Sequence, residues 1–405
     1  MTTVTSEKTS DAVTYTLPFD SDNHYYEKLD AFTRHLDKKF RNRGIEVIKR
    51  GKHTELLAGG KLFEFVPNPT FDPVIVPGCM DLLFRGQVPD GVDPRSLMKV
   101  EPLNPACQDR DKRVEVLNGQ GLSGALLIPT LGCGVEEALK DDIPATMASL
   151  TAFNRWLEED WGYAYQGRIF AMPMLSLADP DEAVKEVDLL LERGARIVSV
   201  RPAPVPAPYG RSNSLGNPMY DKVWAKLEEA DVAVAFHLSD SGYNGFFARA
   251  WGAPDRFVPF RNPNVLASVI VADRPIHDTM ASLVVDGVFT RHPGLRVASI
   301  ENGSDWVHTL LKRLRKQANQ TPWAFQEDPA DTLRRHLWVS PYYEEDIRKL
   351  ADVMGADRVM FGSDWPHGEG LETPVDFKKE LHAFTDAEAD QIMRTNALDL
   401  IRLPY

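Results

Sequence analysis

The feature that most constrains the fold is a regular alternation of short apolar segments with helix-like segments along most of the 405-residue chain. Eight apolar segments have the length and continuity of strands that are covered on both faces, as in a parallel sheet. The segments between them carry helix signals, such as the acidic, proline-containing start at residues 179–182. The predicted strands cover residues 19–22, 124–129, 169–173, 197–201, 232–237, 297–301, 337–340 and 359–362.

Eight strands with crossover helices predict the α/β class and a (β/α)8 TIM barrel, with a doubly wound sheet as the competing fold. We interpret residues 1–405 as a single barrel domain with two long insertions. The first insertion, residues 38–112, contains alternating residues around Gly59-Gly60 that predict a β-hairpin. The second insertion, residues 238–287, is rich in glycine, proline, aromatic residues and arginine. Long connections of this kind form lids, binding loops or oligomer contacts.

Charge and cysteine content exclude several classes of protein. The 46 Lys and Arg residues against 59 Asp and Glu residues leave a net charge of −13, which disfavours nucleic acid as a partner. Cys79, Cys107 and Cys133 are widely spaced and show neither a disulfide framework nor paired thiolate ligands. No apolar run reaches the roughly 20 residues that span a bilayer, and the first 12 residues lack a signal peptide's apolar core. We therefore expect a cytoplasmic protein without a membrane partner.

Candidate functional side chains lie at the carboxyl ends of the predicted strands, where the active sites of such barrels are found. The first strand ends in an alternating set, and we expect period-2 geometry to place Asp20, Asp22 and His24 on one face. The fifth strand ends at His237, the sixth at Glu301, and the eighth leads into Asp364 and His367. Imidazole and carboxylate groups without thiolates suit zinc, manganese or iron.

Four of these segments carry a family resemblance. Asp22-x-His24, Phe236-His237, the stretch 300–306 (IENGSDW) and the stretch 360–367 (MFGSDWPH) resemble the amidohydrolase superfamily. Within it, they are similar to the amidohydrolase-2 group, which contains aminocarboxymuconate-semialdehyde decarboxylase, γ-resorcylate decarboxylase and many hydrolases. The resemblance extends from residue 20 to about residue 400 and is most specific at the eighth strand.

The resemblance implies a barrel that binds one divalent metal ion, zinc first, with manganese or iron as alternatives. The implied ligands are Asp22, His24, His237 and Asp364. Two departures from the family pattern are informative. The first strand has Asp-x-His in place of His-x-His, and Glu301 stands where the decarboxylases usually have a catalytic histidine.

The remaining candidates have supporting roles. Asp364, Glu301 and His367 are the predicted catalytic residues, although Glu301 could instead cap the next helix and His367 could be a surface loop residue. Glu27 is a candidate for orienting His24, and Asp20 and His277 are further candidates for supporting the site or holding a second metal. Predicted substrate-binding residues are Arg85, Tyr243 and Trp365.

The leading hypothesis is a metal-dependent hydrolase, or a nonoxidative decarboxylase, that acts on a small carboxylated or cyclic organic compound through a metal-activated water. One alternative is an oxygenase with two iron or manganese ions that hydroxylates a small molecule. Another is a catalytically silent scaffold subunit of a hetero-oligomer. For the enzyme we expect a small-molecule substrate and a homo-oligomer, with a hetero-oligomer as the alternative.

Overall fold

The chain folds into a closed (β/α)8 barrel, as predicted, in a computed structural model that describes residues 15–252 and 264–404. Seven regular barrel strands lie within these residues, and neighbouring strands run parallel. The first three strands form one sheet and the next four form another. In chain order they are Phe19–Tyr25, Gly124–Pro129, Ile169–Ala171, Ile197–Ser199, Ala233–His237, Val297–Ile300 and Leu337–Ser340.

Single parallel bridges join the two sheets and close the barrel. The bridges are Met174 with Ser199, Val339 with Val359, and Asn23 with Trp365. Residues 359–365 therefore occupy the eighth strand position, between the seventh strand and the first. They do so without a regular ladder: Met360 N donates to Val339 O over 2.8 Å, and Asp364 N donates to Asp22 O over 2.8 Å.

Alternation along the strands separates the barrel interior from the layer beneath the helices. In the fifth strand, Ala233 and Ala235 pack with the interior cluster, whereas Val234 and Phe236 pack with the outer cluster under the helices. Continuing this period directs His237 toward the barrel axis at the carboxyl end of the strand. Burial on both faces explains why the strand sequences are continuously apolar.

The helices lie between the strands and in the two insertions. Their starts follow ordinary capping rules: the Asp179 side chain accepts hydrogen bonds from the amides of Asp181 and Glu182. Among the described helices, none is both long enough and apolar enough to cross a membrane. The α-helices are Asp81–Phe84, Arg110–Gly119, Val135–Leu139, Ile143–Asp160, Pro180–Glu192, Asp221–Glu229, Tyr243–Trp251, Val265–Val271, Arg274–Val285, Val288–Arg291, Asp305–Gln320, Pro329–His336, Ile347–Met354, Asp386–Asp390 and Asn396–Leu400.

The stretch 38–112, between the first and second barrel strands, contains small antiparallel sheets. One has the strands Ile45–Arg50, His53–Ala58 and Lys61–Leu62. Its second turn is Gly59-Gly60, where both residues have the positive φ that a tight turn requires. Residues Val74–Ile75 and Val100–Glu101 form a second pair. Phe65 then packs on Gly134, where a Cβ would lie 2.6 Å from the ring, so this stretch covers the loop after the second barrel strand.

The stretch 238–287, between the fifth and sixth barrel strands, is largely helical where it is described. It contains the helices Tyr243–Trp251, Val265–Val271 and Arg274–Val285. Residues 253–263 of this predicted insertion lie outside the described residues, as do residues 1–14 of the polar amino-terminal segment.

Candidate metal centre

Four side chains meet at the carboxyl ends of the first, fifth and sixth barrel strands. One ligand atom from each of Asp22, His24, His237 and Glu301 lies within 4.8 Å of the others. His237 Nε2 is 2.8 Å from Glu301 Oε2 and 3.6 Å from Asp22 Oδ1, and His24 Nε2 is 3.3 Å from the same Asp22 oxygen. The closed barrel thus brings together residues that are 279 positions apart in sequence, from 22 to 301.

Three of the four ligand atoms of this cluster are buried and form no hydrogen bond of regular geometry among the described residues, although His237 Nε2 lies close to Glu301 Oε2. The atoms are Asp22 Oδ1, His24 Nε2 and His237 Nε2. Buried polar atoms are normally satisfied, so three that converge on one point fit the ligands of a cation. His237 Nδ1 lies 2.7 Å from the carbonyl oxygen of Leu238. This contact requires the proton on Nδ1 and leaves the Nε2 lone pair for a metal.

Glu301 enters the cluster because the backbone departs from regular strand geometry. Ala298 and Ile300 face the barrel interior, so strict alternation would direct residue 301 outward. Glu301 instead has φ of 55°, in the left-handed region that non-glycine residues seldom adopt. Strain of this kind is concentrated at functional sites. No hydrogen bond among the described residues joins the Glu301 side chain to the start of the following helix, where the amide of Ser304 donates to Glu345 Oε1 over 3.1 Å.

Asp364 and His367 form a second group that adjoins the first at His24. His367 Nδ1 is 2.6 Å from Asp364 Oδ1, and His24 Nε2 is 3.4 Å from the same oxygen. His24, Asp364 and His367 also satisfy the distances for a shared ion. Asp364, like Glu301, has φ of 55°. His367 is thus part of the barrel mouth and not a remote surface residue.

The electrostatics of the mouth reflect three carboxylates in a buried space. Burial and the charge of Glu301 raise the pKa of Asp364 well above its usual value, and burial raises the pKa of Glu301. Burial lowers the pKa of His24 to about 3. Burial opposes a charge on His237 as well, but the Glu301 and Asp22 carboxylates and the other groups around the ring together outweigh it and raise the His237 pKa. A divalent cation would relieve this crowding of negative charge.

Asp20 lies apart from the metal-ligand cluster, contrary to the single face expected for Asp20, Asp22 and His24. A register shift between Asp20 and Asn23 interrupts the alternation of the first strand. The Asp20 carboxylate accepts hydrogen bonds from Ser363 N at 3.0 Å and Ser363 Oγ at 2.6 Å. With Asn23 Nδ2 and Asp22 N as further donors, it ties the first strand to the eighth.

Glu27 also has partners other than the one expected. Its carboxylate accepts hydrogen bonds from the amides of Leu131 at 3.0 Å and Gly132 at 2.9 Å. These contacts hold the loop after the second strand, and His24 is not among the described partners of the carboxylate. Burial raises the pKa of Glu27 to about 7.

The other predicted residues have contacts of their own. His277 lies between Asp278 and Arg313, with its nitrogens 2.9 Å and 3.1 Å from them. It belongs to neither described group of candidate ligands. Tyr243 donates to Asp278 over 3.2 Å.

Arg85 and Trp365, predicted to bind substrate, are engaged within the protein. Arg85 forms ion pairs with Asp81 at 2.8 Å and Glu380 at 2.9 Å. Trp365 is 5% exposed and belongs to the core. Its ring centre lies 4.6 Å from the guanidinium carbon of Arg113. Trp365 therefore packs within the protein at the end of the eighth strand.

Two polar residues at the site went unpredicted. Thr130 Oγ1 lies 3.3 Å from His367 Nε2 and donates to Tyr25 O. Thr130 directly follows the second strand, so the rule that found the other strand-end residues could have found it. Arg113 donates to the His24 carbonyl over 2.7 Å. No sequence signal separates this helical arginine from a surface one.

Comparisons with known proteins agree with the resemblance in the motifs. A family described as amidohydrolase matches residues 137–403. A solved amidohydrolase from Mycobacterium avium subsp. paratuberculosis K-10 is 56% identical, with a TM-score of 0.91 over 96% of this chain and 100% of that chain. These matches confirm the predicted family.

More distant matches carry the names of decarboxylases. The chain is 25% identical over 129 residues to a 2-amino-3-carboxymuconate-6-semialdehyde decarboxylase of Dictyostelium discoideum, a segment that is 31% of this chain and 36% of that relative. The match thus spans about a third of the curated relative's length. A dihydroxybenzoic acid decarboxylase from Polaromonas sp. JS666, solved with bound manganese, is 17% identical, with a TM-score of 0.55 over 80% of this chain and 93% of that chain. The latter likeness is one of fold.

Proposed function

This chain is an enzyme of the amidohydrolase family, and from that premise we propose that it is a metal-dependent hydrolase of a small carboxylated or cyclic organic compound. The observation that carries the proposal is the convergence of three unpartnered buried donor atoms, on Asp22, His24 and His237. Glu301 completes this set. Two imidazoles and two carboxylates suit zinc or manganese.

The bound ion would supply Lewis acidity, which polarises a substrate oxygen and brings the pKa of a bound water toward about 7. The chain's own residues would manage the proton. An Asp364 carboxylate oxygen can accept a proton from the attacking water. His367 Nδ1, 2.6 Å from Asp364 Oδ1, can hold that proton and return it to the leaving group.

Hydrolysis is preferred because the sixth strand supplies Glu301, a carboxylate that is 2.8 Å from His237. In the resembling decarboxylases, a catalytic histidine usually stands at this position. A carboxylate crowded by Asp22 and Asp364 would repel a substrate carboxylate placed beside it. The ester, lactone or amide carbonyl of a hydrolase substrate carries no such charge.

Nonoxidative decarboxylation is the second candidate, and the names of the relatives favour it. The curated relative and the manganese-containing structure are both named as decarboxylases. In that case the His367 and Asp364 pair would deliver the proton that replaces the departing carboxyl group.

The test is elemental analysis of the purified protein, prepared with and without oxygen, followed by assays on lactones, amides and aromatic carboxylic acids. About one zinc or manganese per chain and hydrolysis of a lactone or amide would support the proposal. Release of CO2 from an aromatic acid would favour the second candidate. About two iron ions per chain, or a protein that binds none of these metals, would contradict both.

A further inference from the structure

Arg113 is a fully buried cation next to the proposed metal centre. It lies in the helix Arg110–Gly119, directly after the first insertion, and it is 0% exposed. Among the described residues, its guanidinium forms no ion pair with a carboxylate and is held by neutral groups. Burying a charge without an opposite charge costs folding free energy. We therefore expect the hydrogen bonds of the Arg113 guanidinium to be needed at this place.

The guanidinium holds the main chain at the end of the first strand. Arg113 Nη1 donates to Asn23 Oδ1 over 2.6 Å and to the His24 carbonyl over 2.7 Å. Its Nε donates to the Ala106 carbonyl over 2.9 Å. Hydrogen bonds from a charged donor are roughly twice as strong as neutral ones. The Arg113 guanidinium therefore fixes the main chain at His24 to Ala106, near the end of the first insertion.

The same guanidinium reaches the eighth strand by two routes. Asn23, which accepts from Arg113, donates to Asp20 Oδ2 over 3.0 Å. Asp20 in turn accepts from Ser363, the residue before Asp364. The second route is direct, because the guanidinium carbon lies 4.6 Å from the centre of the Trp365 ring. Arg113 thus contacts the neighbours of His24 on the first strand and of Asp364 on the eighth.

His24 needs positioning from its backbone because its ring lacks the usual support. A metal-bound histidine ordinarily donates its second ring nitrogen to a carboxylate or carbonyl, and this bond fixes the ring. Neither His24 nitrogen has a hydrogen-bond partner in the described part of the chain. The ring has the His367 ring 4.2 Å away, and its main chain has Arg113.

We propose that Arg113 is a positioning residue that holds His24 in the arrangement needed to bind the metal and keeps Asp364 beside it. The inference rests on the proposed function for the identity of the ligands. In other metal sites, a hydrogen bond to the second ring nitrogen fixes the histidine. Here the buried Arg113 would fix His24 through its main chain.

The test compares Arg113→Met, Arg113→Lys and the matched control Arg296→Lys for Mn²⁺ affinity, measured by electron paramagnetic resonance on metal-depleted protein. Arg296 is also buried and also donates to backbone carbonyls, those of Leu400 at 2.8 Å and Asp231 at 2.7 Å. It lies before the sixth strand, at the opposite end of the barrel from the metal centre. A loss caused by general destabilisation would therefore appear in the control as well.

We expect Arg113→Met to weaken Mn²⁺ binding by roughly 10- to 100-fold, as loss of a supporting contact does in other metal sites. Arg113→Lys retains the positive charge but not the planar set of N–H donors. The Mn²⁺ affinity of this variant should therefore lie between those of Arg113→Met and the unaltered protein. Arg296→Lys should stay within about twofold of the unaltered protein. Equal losses in Arg113→Lys and Arg296→Lys, or no loss in a folded Arg113→Met, would overturn the proposal.

Crystal structures of the metal-depleted proteins separate this inference from the proposed function. If Arg113 positions the site, the 3.4 Å separation between His24 Nε2 and Asp364 Oδ1 lengthens in the Arg113 variants. It stays unchanged in Arg296→Lys. An unaltered protein that binds neither zinc nor manganese would refute the proposed function, and the positioning role would then be decided by this separation. An unchanged separation would refute the positioning role.

Discussion

Asp364 and His367 form a hydrogen-bonded pair across one turn of the chain, with Asp364 Oδ1 2.6 Å from His367 Nδ1. The turn is closed by a backbone hydrogen bond from His367 N to Asp364 O over 2.9 Å. Asp364 Oδ1 is also 3.4 Å from His24. One carboxylate oxygen of Asp364 therefore lies between the candidate metal ligand His24 and the candidate proton carrier His367. Asp364 is thus placed to connect metal binding with proton transfer.

Replacing Asp364 tests this position most directly. Asp364→Asn keeps the shape of the side chain but removes the base, so kcat/KM on the substrate identified in the assays should fall at least about 10³-fold. His367→Gln should cost less, roughly 10- to 100-fold, because the carboxylate remains.

The control for these variants is Asp305→Asn, at an aspartate that is 80% exposed. Circular dichroism should show an unchanged fold in all three proteins. Turnover by a folded Asp364→Asn protein at the unaltered rate would contradict the assigned role.

Removing the metal should destabilise the protein. The Asp22 and Glu301 carboxylates repel each other when no cation lies between them, and an ion that binds only the folded state stabilises it by about 2.7 kcal/mol at a concentration 100 times its Kd. We expect a chelator to lower Tm, and zinc or manganese to restore it, in differential scanning fluorimetry.

A matched variant identifies the site responsible for that shift. His237→Ala removes one donor, and the chelator should then change Tm much less than in the unaltered protein. His308→Ala, at a histidine in the helix Asp305–Gln320, should keep the full shift. An equal shift in His237→Ala would place the stabilising metal elsewhere.

The fold was predictable because the barrel depends on a pattern that many residues share. Continuous apolar strands such as 124–129, and a capped helix such as Pro180–Glu192, carry their signals locally. The eighth strand shows the limit of such signals. Its residues have the composition of a strand, but they pair through single bridges on both sides. Pairing regularity depends on the neighbouring strands and not on the segment itself.

The site was predictable only as far as regular geometry held. His237 follows the alternation of its strand, whereas Glu301 reaches the cluster through a positive φ and Asp20 leaves it through a register shift. Neither local backbone change leaves a mark in the residue types. Arg113 was missed for a different reason, since its contacts join stretches that are about 90 residues apart.

Gly362 should be intolerant of any side chain. A Cβ at this position would contact Ser340 Oγ and would lie 2.6 Å from Asp22 Cβ. Because the interior is close-packed, we expect Gly362→Ala to lower the free energy of unfolding by about 1–3 kcal/mol. It should also weaken Mn²⁺ binding, because the displaced residue is a candidate ligand.

Urea unfolding and Mn²⁺ titration check this prediction, with Gly119→Ala as the control. A Cβ at Gly119, at the end of the helix Arg110–Gly119, would have open space around it. That change should leave Mn²⁺ binding unaltered and shift stability by less than about 1 kcal/mol, toward the folded state. A Gly362→Ala protein with full stability would show that the barrel mouth is looser than its packing indicates.

Glu27 should make stability depend on pH in a defined window. Burial raises the pKa of its carboxyl group to about 7, from an ordinary value of 4.5. Between these two values the folded state binds more protons than the unfolded state, so the Glu27 contribution to the free energy of unfolding decreases as pH rises. The contribution is complete below pH 4.5 and is lost as pH rises through about 7. Glu27→Gln does not titrate, so the stability of the unaltered protein relative to this variant should fall by up to about 3 kcal/mol across the window. Urea unfolding of metal-depleted protein at several pH values measures this difference. The control is Glu182→Gln, at a glutamate that is 52% exposed. The stability of this control relative to the unaltered protein should not change with pH. A difference for Glu27→Gln that is constant or that grows with pH would mean that Glu27 is ionised throughout, held as a carboxylate by the amides of Leu131 and Gly132.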